Sequence, residues 1–235
     1  VYTDFDANEW VNNASNALSG DLKLPNDGSI MQLGTLYWDE DTGDPIGEYA
    51  FTGCENLTGI IIPNSVTSIS VDAFNYCPGL TSVVFGEDSQ LISIGEFAFA
   101  ECISLTNIVV PDSVTTIGQQ AFCWCTSLTD VIIGDNVTEI DYSTFSDCES
   151  LTNIIIPDSV TSIREDAFYG CKSLTNIIIP DSVTTIEPRA FYGCESLTNL
   201  TLGSSVTTIG KSAFSDCESL TNIIIPDSVT TIEPR

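Results

Sequence analysis

The sequence contains no histidine among its 235 residues. Histidine is the base of Ser-His-Asp and Cys-His nucleophilic pairs and a frequent zinc ligand, so its absence excludes those mechanisms and most zinc sites. Paired carboxylates could still serve a glycosidase. The acidic residues, however, fall at recurring turn positions, and none of them forms a unique pair. We therefore expect no enzymatic activity.

Positive charge is also scarce. Six Lys and Arg face 33 Asp and Glu, which gives a formal net charge of −27. Such a surface repels nucleic-acid phosphates and anionic lipids, so we expect neither as a partner. It suits solubility in salt, where screening relieves self-repulsion, and it fits a marine or secreted setting. The chain also lacks a run of about 20 apolar residues, so we predict no membrane insertion of this region.

What the sequence has in abundance is repetition. The words "SLTNIIIPDSVT" occur at 150–161, at 173–184 and at 219–230. The full unit reads A-F-x-x-C-x-x-L-T-x-I-x-I-P-x-x-V-T-x-I-x-x-x and is about 23 residues long. Eight copies occupy residues 50–235, and their phenylalanines are Phe51, Phe74, Phe99, Phe122, Phe145, Phe168, Phe191 and Phe214. A period of 20–29 residues is typical of leucine-rich repeats.

Each unit contains a strand pattern. In the fifth copy of the unit, residues 151–156 predict a strand in which Ile154 and Ile156 point inward and Asn153 and Ile155 point outward. One such coil buries too little to stand alone, so it depends on neighbours that complete its ladder and cover its core. The sequence therefore repeats because each coil packs mainly against another copy of the same unit.

The rest of the unit turns the chain back. Pro157 lacks an N–H and ends the ladder. Val160 and Ile163 predict a second short strand with two inward side chains. We expect Phe168 and Cys171 to close the coil with a tight helical turn.

The motif A-F-x-x-C-x-S-L-T-x-I-x-I-P-D-S-V-T-x-I closely resembles the BspA-like leucine-rich repeat family. The resemblance implies a β-rich (α/β-type) solenoid, a curved right-handed superhelix with a parallel sheet on its concave face. It also implies a secreted or surface-exposed protein of bacteria or certain protists, often adhesive, and the family shares no catalytic residues. The chain departs from the motif at Gly86, Gly134 and Gly203, which replace the proline, and at Thr144, which replaces the alanine.

The two ends differ from the repeats. Residues 1–49 do not repeat and predict a small N-terminal cap, with a helix from a capping box at Asp6–Glu9 to Gly20 and a strand at 29–38. At the other end, "IEPR" at 232–235 copies "IEPR" at 186–189, where a further repeat begins. We therefore expect the eighth repeat to be truncated and the natural protein to continue. An uncapped C-terminal end would also allow self-association.

Cysteine recurs three residues after each repeat phenylalanine. We predict a core column of free thiols, since buried thiols behave as small apolar residues. The alternatives are disulfides between adjacent coils and a bound metal. Cys123 lies outside this column, in the sequence "CWC", and either exposure or burial is open for it.

Acid and hydroxyl columns suggest two ligand hypotheses. Asp112, Asp135, Asp158 and Asp181 share one position in four successive coils. Local hydrogen bonds within each turn explain them, and the alternative is a calcium-binding edge that relieves their repulsion. Threonine likewise forms an unbroken column, which β-propensity explains and for which ice binding is the alternative. No other cofactor is predicted.

Two surfaces are candidates for partner binding. The first is an aromatic edge formed by Trp124, Tyr142, Tyr169 and Tyr192, because aromatic residues are favoured at binding hot spots. The second is the outward aliphatic row of the strands, which includes Ile132, Ile155 and Ile178. Ordinary variation of loop residues is the competing explanation of the aromatic edge.

These observations favour a non-enzymatic extracellular module for binding or adhesion. Its partner would be a protein or glycan on another cell or matrix, recognised through an extended solenoid surface. The main alternative is a structural spacer, or an assembly subunit of a surface layer or filament. A calcium- or ice-binding solenoid is the third alternative.

Overall fold

A computed structural model describes Met31–Gln32 and residues 45–234. Within these residues the chain is a parallel-sheet β-solenoid of about eight turns without a helix. No helix there has the length and hydropathy of a membrane span. The solenoid predicted from the repeat is therefore confirmed. The predicted N-terminal helix, and the predicted strand at 29–38 apart from Met31–Gln32, lie outside the described residues.

We number the coils 1 to 8 by their phenylalanines, from Phe51 to Phe214. Coils 1 to 7 each contribute two strands to the solenoid, and coil 8 contributes only the second. The first strands belong to a series that begins with β1 (Met31–Gln32) and continues with β2 (Gly59–Ile62), β4 (Ser82–Phe85), β6 (Asn107–Val109), β8 (Asp130–Ile132), β10 (Asn153–Ile155), β12 (Asn176–Ile178) and β14 (Asn199–Thr201). The second series comprises β3 (Ser68–Ile69), β5 (Ser93–Ile94), β7 (Thr116–Ile117), β9 (Glu139–Ile140), β11 (Ser162–Ile163), β13 (Thr185–Ile186), β15 (Thr208–Ile209) and β16 (Thr231–Ile232).

The strands pair in parallel with the equivalent strand of a neighbouring coil, and they form four sheets, because no ladder joins β4 to β6 or β7 to β9 in the described residues. The longest sheets follow the orders β6-β8-β10-β12-β14 and β9-β11-β13-β15-β16. The register is one whole repeat, since Ile154 lies opposite Val131 and Ile163 lies opposite Ile186. Each coil therefore rests on the same residues of its neighbour.

The core is a single file of phenylalanine rings. Neighbouring rings from Phe51 to Phe214 stack with centroids 5.0–5.5 Å apart and planes within 11° of each other. Phe122, Phe145 and Phe168 are fully buried in this file. Offset ring stacking adds to the hydrophobic gain of burial. The like-on-like stacking inferred from the repeat is therefore confirmed.

The strand alternation also matches the prediction. Ile154 and Ile156 are buried, whereas Asn153 and Ile155 are exposed. The predicted second inward pair, Val160 and Ile163, is fully buried. A period of two therefore gives the correct inner and outer faces for both strands.

The predicted helical turn around the phenylalanine is wrong. Residues two before and two after each repeat phenylalanine have positive φ, for example Ser143 at 50° and Asp147 at 55° in coil 5. This alternation directs every second N–H toward the next coil. The bonds run from Ser143 N to Glu165 O (3.1 Å), from Phe145 N to Ala167 O (2.9 Å) and from Asp147 N to Tyr169 O (2.6 Å). In an α-helix these N–H groups would instead donate to carbonyl groups of the same coil.

The cysteines are free thiols, and all but Cys217 are buried. From Cys77 onward, each thiol of the column donates to the phenylalanine carbonyl of the preceding coil, as Cys148 Sγ does to Phe122 O at 3.2 Å. Burial raises the pKa of Cys171 above the ordinary thiol value. Cys123 is buried too, and burial together with Asp147 raises its pKa to about 11. The predicted core column is therefore present, and its buried thiols are poorly reactive, whereas the hydrogen bond with Cys194 lowers the pKa of the half-buried Cys217.

Candidate binding surfaces

The first strand series presents a row of exposed aliphatic side chains. We call this row the aliphatic stripe: Val84, Val109, Ile132, Ile155 and Ile178. Ile132, Ile155 and Ile178 are 53%, 66% and 68% exposed. The pairing of β6, β8 and β10 places Val109, Ile132 and Ile155 directly side by side. The Ile residues predicted from the sequence therefore form one continuous surface.

The threonine hydroxyls of the column beside the stripe form hydrogen bonds between neighbouring coils. Its hydroxyls donate to the threonine carbonyl of the preceding coil, as Thr129 Oγ1 does to Thr106 O at 3.0 Å and Thr198 Oγ1 does to Thr175 O at 3.1 Å. A hydroxyl committed to the backbone is not free to order a water lattice. The geometry therefore favours the structural explanation of this column.

The aspartate column also bonds to the neighbouring coil. Asp112, Asp135, Asp158 and Asp181 are all exposed. Asp112 Oδ1 accepts from Asp135 N at 3.1 Å, and Asp181 Oδ1 accepts from Ser204 N at 2.6 Å. The bond from Ser204 lowers the pKa of Asp181. In residues 45–234, no three His, Cys, Asp or Glu side chains are grouped to hold a metal ion.

The predicted aromatic edge divides into separate pieces. Trp124 is 50% exposed, and its indole Nε1 donates to Asp147 Oδ2 at 2.8 Å. Tyr169 and Tyr192 are half-buried and stack on each other with centroids 5.2 Å apart. Tyr142 is exposed, and it lies three residues before the phenylalanine of coil 5, whereas Tyr169 and Tyr192 directly follow those of coils 6 and 7. These side chains do not offer one continuous aromatic surface comparable with the stripe.

A surface pocket of about 190 Å³ lies beside Trp124. Coils 2 to 4 build it from the residues around their phenylalanines, chiefly Asp72, Asn75, Phe97, Ala100, Glu101 and Trp124. Of these residues, only Trp124 was predicted from the sequence to contact a partner. The signal for Phe97 was available, because the equivalent positions of the later coils carry the polar residues Gln120, Ser143, Asp166, Arg189 and Ser212.

Within residues 45–234, every ion pair involves Arg164, Lys172 or Arg189. Arg164 contacts Glu139 and Glu187 at 2.9 Å each, and Lys172 contacts Glu149 at 2.7 Å. A second network joins Arg189 to Glu165 at 2.9 Å and to Asp166 at 2.7 Å. No Lys or Arg occurs between residues 45 and 163, so the stripe and the pocket begin in a purely acidic part of the chain.

Known proteins resemble this arrangement. The family model described as BspA type leucine-rich repeat region matches residues 44–172 and 139–235, with six copies. A leucine-rich repeat protein of T. pallidum is 29% identical with a TM-score of 0.54, over 76% of this chain and 72% of that chain. A leucine-rich repeat protein of Bacteroides ovatus is 27% identical with a TM-score of 0.40, over 81% and 71%. A leucine-rich cell surface protein of Faecalibacterium prausnitzii is 26% identical with a TM-score of 0.37, over 81% and 69%. No curated protein matches the chain.

Proposed function

Because this chain belongs to the BspA-type leucine-rich repeat family, we propose that it is a non-enzymatic module that docks a protein partner on the aliphatic stripe. Leucine-rich repeat families typically act as binding scaffolds without enzymatic activity. The proposal includes a secreted or cell-surface location and a role in adhesion to another cell or to matrix. The high acidity, which suits solubility in external salt, supports that location.

The exposed stripe is the observation that carries this proposal. Its side chains lie on neighbouring parallel strands, which are about 4.8 Å apart, so they form one apolar strip. Contiguous exposed apolar surface marks interaction sites, whereas single exposed apolar residues need no explanation. The fold does not require the strip, because coil 7 carries Thr201 in register with Ile178. The aliphatic residues are therefore better explained by a partner.

The charge around the stripe defines the chemistry of the partner. Asp130 lies in β8 beside it, and residues 45–163 carry fifteen Asp and Glu with no Lys or Arg. A partner with an apolar centre and a basic rim would complement this surface. Such complementarity raises the association rate at low salt and fixes partner choice. We therefore expect binding to weaken as salt is raised.

A threonine variant of the stripe tests the proposal. Ile132→Thr, Ile155→Thr and Ile178→Thr together reproduce the residue that coil 7 already has, so the fold should persist. The measurement is surface plasmon resonance against purified extracellular-matrix and cell-surface proteins and against immobilised glycans, at low and high salt. We expect at least one basic protein to bind the wild type and to lose most of its affinity for the variant.

The matched control is Tyr169→Ser with Tyr192→Ser, which alters the aromatic edge and leaves the stripe intact. Equal binding by the wild type and the threonine variant would contradict the proposal. Loss of binding in the tyrosine control alone would assign recognition to the aromatic edge. Binding to glycans without any protein would contradict the proposed partner class, and light scattering that showed stripe-dependent self-assembly would favour an assembly subunit.

A further inference from the structure

The pocket beside Trp124 lies in a groove that follows the phenylalanine turns. The residues two before and two after each phenylalanine line it, and the residue directly after each phenylalanine lies between them. In coils 3 and 4 that middle residue is Ala100 or Cys123, both small and buried. In coils 6 and 7 it is Tyr169 or Tyr192. The pocket therefore lies where two successive middle residues, Ala100 and Cys123, are small.

The aromatic walls of the pocket are held in a costly conformation. Phe97 and Trp124 have φ of 53° and 60°, in the left-handed region. That region costs a non-glycine residue about 1–2 kcal/mol, and the position of Trp124 carries Gly170 and Gly193 in coils 6 and 7. Every coil has positive φ at these positions, so the distinguishing feature of the pocket is the pair of large aromatic side chains that occupy them. The Trp124–Asp147 hydrogen bond fixes the orientation of the indole ring.

The polar groups of the pocket are acceptors for a cation. Asp72 and Glu101 supply carboxylates. The Glu101 backbone N–H donates to Cys123 O, and no hydrogen bond to the Glu101 carboxylate is found in the described residues. Asn75 Nδ2 donates to Asp72 Oδ1 at 2.6 Å, and the buried Asn75 Oδ1 receives no hydrogen bond there. The nearest Lys or Arg that follows in the described sequence is Arg164. An anionic ligand would meet only like charge.

The size of the pocket limits what it can hold. Sites for drug-sized ligands measure roughly 300–1,000 Å³. A pocket of about 190 Å³ instead suits one side chain. A Lys or Arg side chain would place its aliphatic stem against Ala100 and its charged group between carboxylates and aromatic faces, which attract cations.

We infer that the pocket formed by Asp72, Phe97, Glu101 and Trp124 binds a cationic side chain, lysine or arginine, of a protein partner. The inference is independent of the aliphatic stripe, because no residue of the stripe lines the pocket. It therefore stands or fails separately from the docking role proposed above. A neutral sugar could also stack on Trp124, but it would gain nothing from the two carboxylates.

A titration of the full chain with small blocked amino acids tests the inference. The probes are N-acetyl-arginine and N-acetyl-lysine methylamides, with N-acetyl-norleucine methylamide as the neutral counterpart and methyl glycosides as the sugar arm. The readout is the NMR signal of the Trp124 indole N–H, assigned by its loss in Trp124→Phe. We expect saturable shifts with the cationic probes only, and weaker binding at high salt.

Two variants locate the site. Ala100→Tyr places in coil 3 the residue that coils 6 and 7 carry there, and we expect it to abolish binding. Glu101→Gln removes one carboxylate, and we expect affinity to fall about tenfold, as loss of a charge-assisted hydrogen bond predicts. The control Glu218→Gln changes the net charge equally in coil 8 and should leave binding unchanged.

The outcomes separate cleanly. Equal shifts with the norleucine probe would show that the pocket binds apolar groups without regard to charge. Stronger shifts with the glycosides would show that it binds sugars. Either result overturns the inference. So does the absence of any shift with both cations, or full binding by Glu101→Gln. If Ala100→Tyr fails to melt cooperatively, Glu101→Gln still decides the matter, since Glu101 accepts no structural hydrogen bond from the described residues.

Discussion

Two halves of the solenoid share one core and differ in their surfaces. Residues 45–163 carry fifteen acidic residues and no Lys or Arg, whereas residues 164–234 carry nine acidic residues with Arg164, Lys172, Arg189 and Lys211. The phenylalanine file nevertheless runs through both halves with nearly constant spacing. Core and backbone geometry therefore do not dictate the charge. Glu139 and Glu149 pair with Arg164 and Lys172, but the other acidic residues of the first half form no ion pair within the described residues. They and the pocket are therefore free to serve a partner.

Removal of one phenylalanine ring from the core should lower stability more than any other change, and the loss should be equal in the two halves. We expect Phe122→Ala and Phe168→Ala each to lower the free energy of unfolding by about 3–5 kcal/mol, because both rings are fully buried between stacked neighbours. Urea unfolding followed by circular dichroism measures the change. A cost that differs several-fold between these variants would show that the halves do not share one core.

The stability of the second half, which contains the ion pairs, should depend on Arg189. This residue pairs with Asp166, which is only 7% exposed and whose second carboxylate oxygen, Oδ1, has no partner in the described residues. We expect Arg189→Met to cost about 1 kcal/mol at neutral pH, since it leaves a buried carboxylate uncompensated. Lys172→Met is the control, and its exposed pair with Glu149 should matter by less than about 0.5 kcal/mol.

The Arg189→Met effect should also depend on pH. Burial raises the pKa of Asp166 above its ordinary value. A carboxyl with a raised folded-state pKa binds its proton more tightly when folded, so its burial destabilises the protein above that pKa and the cost disappears as pH falls through it. We expect the cost of Arg189→Met to shrink on acidification. An unchanged cost in acid would show that Arg189 acts through packing alone.

Repulsion among the acidic residues of the first half should make the stability of the protein depend on salt concentration. Asp112, Asp135 and Asp158 recur on adjacent coils, and unit charges about 5 Å apart repel by roughly 0.8 kcal/mol in water. We expect Asp135→Asn to raise stability by about 0.5 kcal/mol at low salt and to lose that advantage at high salt. Thermal melts in NaCl and in CaCl₂ of equal ionic strength measure it. A larger rise in calcium for the wild type alone would revive the calcium hypothesis.

The comparison also shows which features sequence reasoning can reach. The inner and outer faces of β10 and the phenylalanine file were predictable, because periods of two and of 23 residues are visible within one chain. The turn at Phe145 was not, because its N–H bonds to Ala167 O in the next coil and local propensity cannot show this. The pocket was also missed, because Phe97 and Trp124 meet only when coils 3 and 4 stack over small residues.

The position two residues after the phenylalanine differs between coils in its backbone strain. Tyr76 and Trp124 occupy, at φ 54° and 60°, the position at which coils 6 and 7 have Gly170 and Gly193. Relief of the left-handed strain is worth about 1–2 kcal/mol, and the added entropy of glycine in the unfolded chain cancels about 0.5–1 kcal/mol of it. Tyr76 is exposed, and no hydrogen bond of its side chain is found in the described residues.

We therefore expect Tyr76→Gly to stabilise the protein by about 0.5 kcal/mol in urea unfolding. Trp124→Gly should give no such gain, because it also removes the indole bond to Asp147 and the contacts of the ring in the pocket. Stabilisation by both substitutions would mean that Trp124 is as dispensable to the fold as Tyr76. Stabilisation by Tyr76→Gly alone would identify Trp124 as the aromatic residue whose strain is balanced by its own contacts.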